Sequence, residues 1–406
     1  MFTPERFYSR LGKTFEPGIL TEVVLAAFEL MRQGKRLISL TGGSYDPPSL
    51  PVGPVKEVLE EASAEAWREM LQYGSNMGSG ALREGLARLM EGAGIRADPR
   101  TEIIVTTGSQ QALDLASRLF IDPGDIIIVD SPTYLQALAA FKQFNPEFLS
   151  IPIDEEGMRL DLLEKELKRL ALEGRRPKLL YAVPSYHNPT TTVLSMERRR
   201  GMLELAEEFD FLILEDNPYG YISFEGPMPT PIKAMDKSGR VLYMSTFSKI
   251  VSPGLRIGWI AARREFVAKM AEAKSNIDIC SDGLSQYVAA GLLRRGVVEK
   301  QIAHITNVYR RKRDLMLETM ETRFPEGAEW TKPKGGLFIW VKMPSHVNTD
   351  EVLKEALNNG VAYIPGSNFF LDPSIRNYLR LNYSFPSEED IVEGISTLGR
   401  IFREKI

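Results

Sequence analysis

The chain has 406 residues, of which 54 are acidic and 50 basic for a formal charge of −4, and 43% are hydrophobic. That length exceeds what one hydrophobic core usually organises, so two bodies sharing a cleft are expected. The near balance of charge argues against a nucleic-acid or anionic-membrane surface, and one cysteine with three histidines is too few for a disulfide framework or a Cys/His zinc site.

The opening segment is charged and interrupted by Pro4 and Pro17, with no apolar signal core. No spanning segment follows it, and a cytoplasmic location is expected. Val23 to Gln33 has helical spacing and Leu37 to Leu40 reads as a short strand. Between about residues 80 and 275, short β-rich runs alternate with helical periodicities, the pattern of an α/β body around a largely parallel sheet. The strand candidates are Glu102 to Thr106, Asp125 to Val129, Leu179 to Val183, Phe211 to Leu214, Val241 to Met244 and Ile257 to Ala261. Ala112, Leu115, Ala116 and Leu119 share a helical face, as do Met202, Leu205, Ala206 and Phe209, and both helices are expected to cover the sheet. Beyond residue 275 the texture changes to long charged helices such as Arg310 to Met320, then to strand-like Gly336 to Val341 and Tyr378 to Ser384. The expected division is a large domain over residues 50–290 and a smaller α+β domain formed by residues 1–49 and 291–406.

Five polar segments follow or lie in these strands. Thr106-Thr107-Gly108-Ser109-Gln110-Gln111 ends a strand and opens a helix, where free N–H groups and the helix dipole suit a phosphate. Gly108 permits close backbone approach, while Ser109 is either a phosphate ligand or simply an N-cap. In the segment Pro184 to Thr190, Asn188 offers an amide donor, although Asn-Pro by itself is an ordinary turn signal. Glu215-Asp216-Asn217-Pro218-Tyr219 delivers a carboxylate to a strand's C-terminal end, the ligand-binding edge of an open α/β sheet, or merely caps the next loop. Ser245 to Lys249 and Pro253 to Trp259 set one lysine in a small-residue loop with Arg256 seven positions on. Burial beside a second cation lowers a lysine pKa toward the range needed to condense with an aldehyde such as pyridoxal phosphate, while the alternative is a surface lysine. Arg380, on the alternating strand Tyr378 to Tyr383, has the fork to hold a carboxylate bidentately, or it is an edge-strand surface arginine.

Taken together, the segments TTGSQQALDL (106–115), SPTY (131–134), HNPT (187–190), EDNPYG (215–220), STFSKIVSPGLRIGW (245–259) and LRLNYS (379–384) resemble the class I/II aminotransferases of pyridoxal phosphate fold type I, in family order and over nearly the whole chain. The resemblance is strongest to the archaeal and thermophilic branch of aromatic, kynurenine, 2-aminoadipate and alanine-glyoxylate aminotransferases. It implies that Lys249 forms the Schiff base and shuttles the proton. Asp216 would pair with the pyridinium nitrogen, Asn188 and Tyr219 would hold the ring oxygen, and Tyr134 would stack on the ring. Gly108, Ser109, Gln110, Thr246 and Arg256 would hold the phosphate, with Tyr73 reaching it from the partner subunit of a homodimer. Arg380, the Gly43 backbone and Asn188 would bind the substrate carboxylate.

The implied reaction is ping-pong transfer of the α-amino group from a neutral or aromatic L-amino acid to a 2-oxo acid such as 2-oxoglutarate. A 2-aminoadipate or alanine-glyoxylate preference, or β-lyase or decarboxylase chemistry on the same scaffold, are the alternatives. A sensory module fused to a DNA-binding domain is disfavoured by the charge balance. Two departures from the family pattern are Thr191, where glycine is usual, and Thr246, where serine is usual. Relatives that favour acidic donors tend to carry an arginine just before the glutamate of the first helix. Thr21 stands there before Glu22, with Arg10 or Lys13 as possible substitutes.

Overall fold

The computed structural model describes residues 2–9, 11–15, 18–32, 34 and 36–406. Among these, the strands in chain order are β1 (Ile38–Ser39), β2 (Ile103–Thr107), β3 (Ile126–Ser131), β4 (Glu147–Asp154), β5 (Gly157–Met158), β6 (Pro177–Ala182) and β7 (Leu212–Asp216). They continue with β8 (Val241–Thr246), β9 (Ile257–Ala261), β10 (Glu329–Trp330), β11 (Phe338–Lys342), β12 (Val361–Ala362), β13 (Ile364–Pro365) and β14 (Tyr378–Asn382). The first sheet has eight strands in the order β2-β9-β8-β7-β6-β3-β4-β5, a second has the order β10-β11-β14-β13, and β1 pairs in parallel with β12. The last pairing joins the N-terminal segment to the C-terminal part of the chain.

β3, β4, β6, β7 and β8 run parallel. The aliphatic runs of β3, β6, β7 and β8 are buried on both faces, as a helix-covered parallel sheet requires. Ile127, Val129, Leu179 and Leu214 enter one apolar cluster, while the alternate residues Ile128, Leu180 and Ile213 enter another across the sheet. The helix Gly108–Phe120 buries Ala112, Leu115 and Ala116, and the helix Met196–Glu208 buries Met202, Leu205 and Ala206. Ser195 starts the latter, its hydroxyl accepting from the Arg198 N–H at 3.3 Å.

β4 and β5 are absent from the sequence reading. Glu147–Asp154 is mostly half-exposed and contains Pro152, so it lacks the continuous apolar run that marks its neighbours. The direction of β9 was also beyond the sequence: it is antiparallel to both β2 and β8. That reversal matters, because β2, β7 and β8 end at the edge where β9 begins. Thr107 pairs with Ile257 and Thr246 with Gly258, so Arg256 arrives beside the residues that leave the parallel strands.

Candidate active site

At the end of β2 the chain turns straight into the helix Gly108–Phe120. Thr107 is its N-cap and its own N–H is held by Gln111 Oε1 at 2.8 Å. Ser109 therefore lies inside the first turn and is not the N-cap. Gly108 adopts φ +73°, and a Cβ there would sit 2.2 Å from Arg256 Nη2. Gly258 allows a second close approach: a Cβ on it would meet Gly108 C at 2.5 Å and Ser109 N at 2.7 Å. The helix N-terminus thereby rests on β9 directly under the Arg256 guanidinium, which donates to Thr107 O at 3.2 Å and Ser248 Oγ at 3.4 Å. Ser109 is half-buried and Gln110 exposed in this same turn. Thr246 contributes by shaping the loop, accepting from Ser248 N–H at 3.1 Å and donating to Ile257 O at 2.9 Å.

Asp216 closes β7 with 3% of its surface exposed. Tyr181, the penultimate residue of β6, donates to its Oδ2 at 2.8 Å, and Oδ1 is buried with no partner among the described residues. Burial pushes this carboxyl up to about 7, against the lowering effects of the Tyr181 hydrogen bond and the Lys249 charge. Lys249 is displaced in the other direction. Burial first, then Arg380 and Arg256, pull its amine down to about 8, against Asp216. Its Nζ donates to Gly43 O at 2.7 Å.

Arg380, on β14, is buried over the rings of Phe338 and Phe369, with its Cζ 4.1 and 5.0 Å from their centroids. Nη1 donates to Asn188 Oδ1 at 2.8 Å and Nη2 to Thr41 O at 2.7 Å, leaving Nε buried without a partner among the described residues. Burial lowers its pKa to about 10, with Tyr219 and Tyr134 acting in the opposite direction. Asn188 is thus a bridge, since its Nδ2 also donates to Tyr219 Oη at 3.1 Å. The Tyr219 hydroxyl is raised by burial. Tyr134, half-buried at the start of the helix Leu135–Lys142, is raised to about 12 by burial and then by Asp216.

The Asn188 turn is fixed beneath the site. His187 Nδ1 lies 2.9 Å from Thr190 Oγ1, and Thr191 takes the glycine-like φ of +64° while its hydroxyl donates to Thr190 O at 2.6 Å. Threonine at the usual glycine position therefore keeps the turn, at a cost of about 1 kcal/mol of backbone strain that its hydrogen bonds offset. Tyr73 is 76% exposed in the isolated chain. Lys13 and Thr21 are exposed, and Arg10 lies outside the described residues.

Four contributors escaped the sequence reading as site residues. Tyr181 carried one signal, a phenol in an aliphatic strand whose hydroxyl needs a partner once buried. Ser248 and Gly258 stood within the quoted segments without a role, and Thr41 acts through its carbonyl, which no side-chain pattern reveals.

A lysine drawn toward neutrality, an unpartnered buried carboxylate oxygen and a helix N-terminus capped by an arginine fit an aldehyde-bearing pyridine phosphate: Asp216 Oδ1 for the ring nitrogen, the Gly108–Arg256 cradle for the phosphate. Fold and site define a pyridoxal phosphate enzyme. Residues 35–398 match the family described as aminotransferase class I and II, and the chain belongs to that family. It is 44% identical to aromatic-amino-acid aminotransferase 1 of Thermococcus litoralis over 370 residues, covering 91% of this chain and 89% of that one. The kynurenine aminotransferase of Pyrococcus horikoshii, solved in complex with PMP, superposes with a TM-score of 0.93 at 40% identity, covering 99% of this chain and 98% of that one. An archaeal alanine:glyoxylate aminotransferase superposes with a TM-score of 0.94 at 37% identity over the whole of both chains. The protein is a pyridoxal phosphate-dependent aminotransferase.

Proposed function

We propose that the amino donor is a neutral or aromatic L-amino acid and the acceptor a 2-oxo acid such as 2-oxoglutarate. The observation that carries this reading is the seat of Arg380. Its guanidinium is held by Asn188 and Thr41 with Phe338 and Phe369 against it, a carboxylate fork set among aromatic rings. The aromatic-amino-acid and kynurenine aminotransferases among its relatives support it.

In this reading Arg380 and the Gly43 backbone hold the α-carboxylate, with Asn188 bridging substrate and cofactor sides. Asp216 keeps the ring nitrogen protonated, Asn188 and Tyr219 fix the ring oxygen, and Tyr134 covers the ring face. Gly108, Ser109, Gln110, Thr246 and Arg256 cradle the phosphate. Pyridoxal phosphate supplies an aldehyde that receives the amino group and a ring that spreads the electron pair left on the α-carbon. Lys249, with an amine near neutrality, would take the proton from the substrate α-carbon and hold it for return once the amino group has moved. Residues 50–290 form the cofactor domain, and residues 1–49 with 291–406 form the smaller one. The exposed phenol of Tyr73 serves the phosphate of a second subunit, which makes a homodimer the working unit. The location is cytoplasmic; among the described residues no helix is long and apolar enough to cross a membrane.

The test is a spectral titration of cofactor-loaded protein with aromatic, branched, small and acidic L-amino acids. Aromatic and neutral donors are expected to convert the bound cofactor to its amine form, and 2-oxoglutarate to restore it. Conversion by acidic donors alone overturns the substrate reading, and ammonia release without conversion points to lyase chemistry.

A further inference from the structure

The segment from Leu40 to Ser49 crosses the site as a strap. Two of its carbonyls meet the central cations, Thr41 O accepting from Arg380 Nη2 and Gly43 O from Lys249 Nζ. Its near end is stitched to strands: Leu40 N–H donates to Ala362 O at 2.8 Å and Leu40 O accepts from Asn382 N–H at 2.9 Å. The far end is held differently, by side chains of the helix Val297–Arg323. Lys312 Nζ donates to Asp46 Oδ1 at 2.7 Å and to Ser384 O at 3.1 Å. The Ser384 hydroxyl donates back to Ser44 O at 2.7 Å. Tyr309 Oη accepts from Asp46 N–H, Ser49 Oγ donates to Asp46 Oδ2, and Gln301 Nε2 reaches Tyr45 Oη and Ser49 O.

Lys312 and Asp46 are each 5% exposed, so this is a desolvated ion pair, and Asp46 stands only three residues beyond Gly43. A buried pair contributes little net stability against well-packed apolar side chains, and its best-attested use is to fix one arrangement among several. Here the arrangement it fixes is the height of the strap over Arg380 and Lys249. Gly43 leaves little slack, because a Cβ there would already be 2.8 Å from Phe338 Cζ, the same ring that lies under Arg380.

We propose that Lys312 and Asp46 are positioning residues for the amino-acid carboxylate, acting through the Thr41–Asp46 strap on Arg380 and the Gly43 backbone. Neither touches the reacting atoms. The inference rests on the reading of Arg380 as the carboxylate ligand.

The experiment compares cofactor-loaded wild type with Lys312→Met, Lys312→Arg, Ser384→Ala and Arg380→Lys, using L-phenylalanine and 2-oxoglutarate. Lys312→Met should raise KM for L-phenylalanine about tenfold while kcat, cofactor affinity and the bound-cofactor spectrum stay within about threefold or unchanged. Lys312→Arg should recover most of the affinity, and Ser384→Ala, which removes the Ser44 tie and the contact with the Asn382 amide but keeps the Lys312–Asp46 pair, should show a smaller rise in the same direction. A merely structural role would lower thermal stability without this split between KM and kcat. Wild-type KM in Lys312→Met, together with raised KM in Arg380→Lys, overturns the inference. So does parallel loss of cofactor affinity and substrate affinity. Unchanged KM in Arg380→Lys overturns the carboxylate reading itself. If Lys312→Met fails to fold, Ser384→Ala decides alone: raised KM supports the strap, wild-type KM refutes it.

Discussion

Replacing Lys249 with methionine should stabilise the cofactor-free protein at neutral pH. The amine has a pKa lowered from 10.5 to about 8, chiefly by burial and then by Arg380 and Arg256. A group depressed on folding is held as a cation at a cost whenever the pH is below its folded value, and that drop corresponds to about 3 kcal/mol. The methionine variant also loses the hydrogen bond to Gly43 O, worth about 1 kcal/mol, which leaves a net gain of about 2 kcal/mol at pH 7. The sign follows from linkage: the wild-type penalty is full below the folded pKa near 8 and fades as pH rises toward 10.5, where the unfolded chain also sheds its proton. Near pH 10 the remaining penalty and the lost hydrogen bond should cancel. At roughly 2.1 cal/mol/K per residue of unfolding entropy, 2 kcal/mol corresponds to about 2–3 °C in Tm for a chain of this length. Thermal melts of both cofactor-free proteins at pH 7 and pH 10 measure the gap. A Lys249→Met protein no more stable than wild type at pH 7, or a gap that ignores pH, refutes the reasoning.

Asp216→Asn keeps the acceptor for Tyr181 but removes the charge facing the ring nitrogen, and should weaken pyridoxal phosphate binding by about 30-fold or more in a spectrophotometric titration. An unchanged Kd would detach Asp216 from the cofactor. Tyr181→Phe deletes one hydrogen bond to that carboxylate but leaves its charge in place, so its cofactor Kd should rise less than that of Asp216→Asn, and a larger rise would contradict the order. Gly108→Ala places a Cβ against Arg256 Nη2 in a backbone conformation with φ +73°, costing about 1–2 kcal/mol of stability and loosening phosphate binding. Equal affinity for inorganic phosphate in Gly108→Ala and wild type would show that the Gly108–Arg256 contact does not shape that cradle.

The residues legible in the sequence share one circumstance. Asp216 and Thr246 end parallel strands, Asn188 follows one closely, and Arg256 precedes β9, so each is a polar residue next to an apolar run at the ligand edge of the sheet. Lys249 follows in the loop after β8. What the sequence concealed depends on pairing partners. β4 is half-exposed and β9 is a short run as fully buried as its neighbour β8, so neither the existence of one nor the direction of the other can be read from hydrophobic pattern. The same holds for Thr41 and Gly43, whose contribution is a carbonyl aimed by contacts far along the chain. Arg380 shows the boundary between the two cases: its strand was expected, but its partners Asn188 and Thr41 lie 192 and 339 positions away.

The opposed displacements of Asp216 and Lys249 connect these observations. Burial drives the acid up to about 7 and the amine down to about 8, so each is drawn toward its neutral form while its neighbour's charge opposes the change only partly. An unpartnered Asp216 Oδ1 and an unpartnered Arg380 Nε stand in the same buried region among the described residues. Such groups destabilise a fold that has no use for them, and sites of this kind persist where function needs them. A bound cation at Asp216 and a bound anion at Arg380 would return both to favourable pairing, so cofactor and substrate bind where the fold is least satisfied. Binding to the folded chain alone then stabilises it by mass action, in proportion to the logarithm of ligand concentration over Kd. The stability given up around Asp216 and Arg380 is then available as affinity, and under the proposed role of Lys249 the methionine expected to strengthen the cofactor-free protein should also abolish turnover.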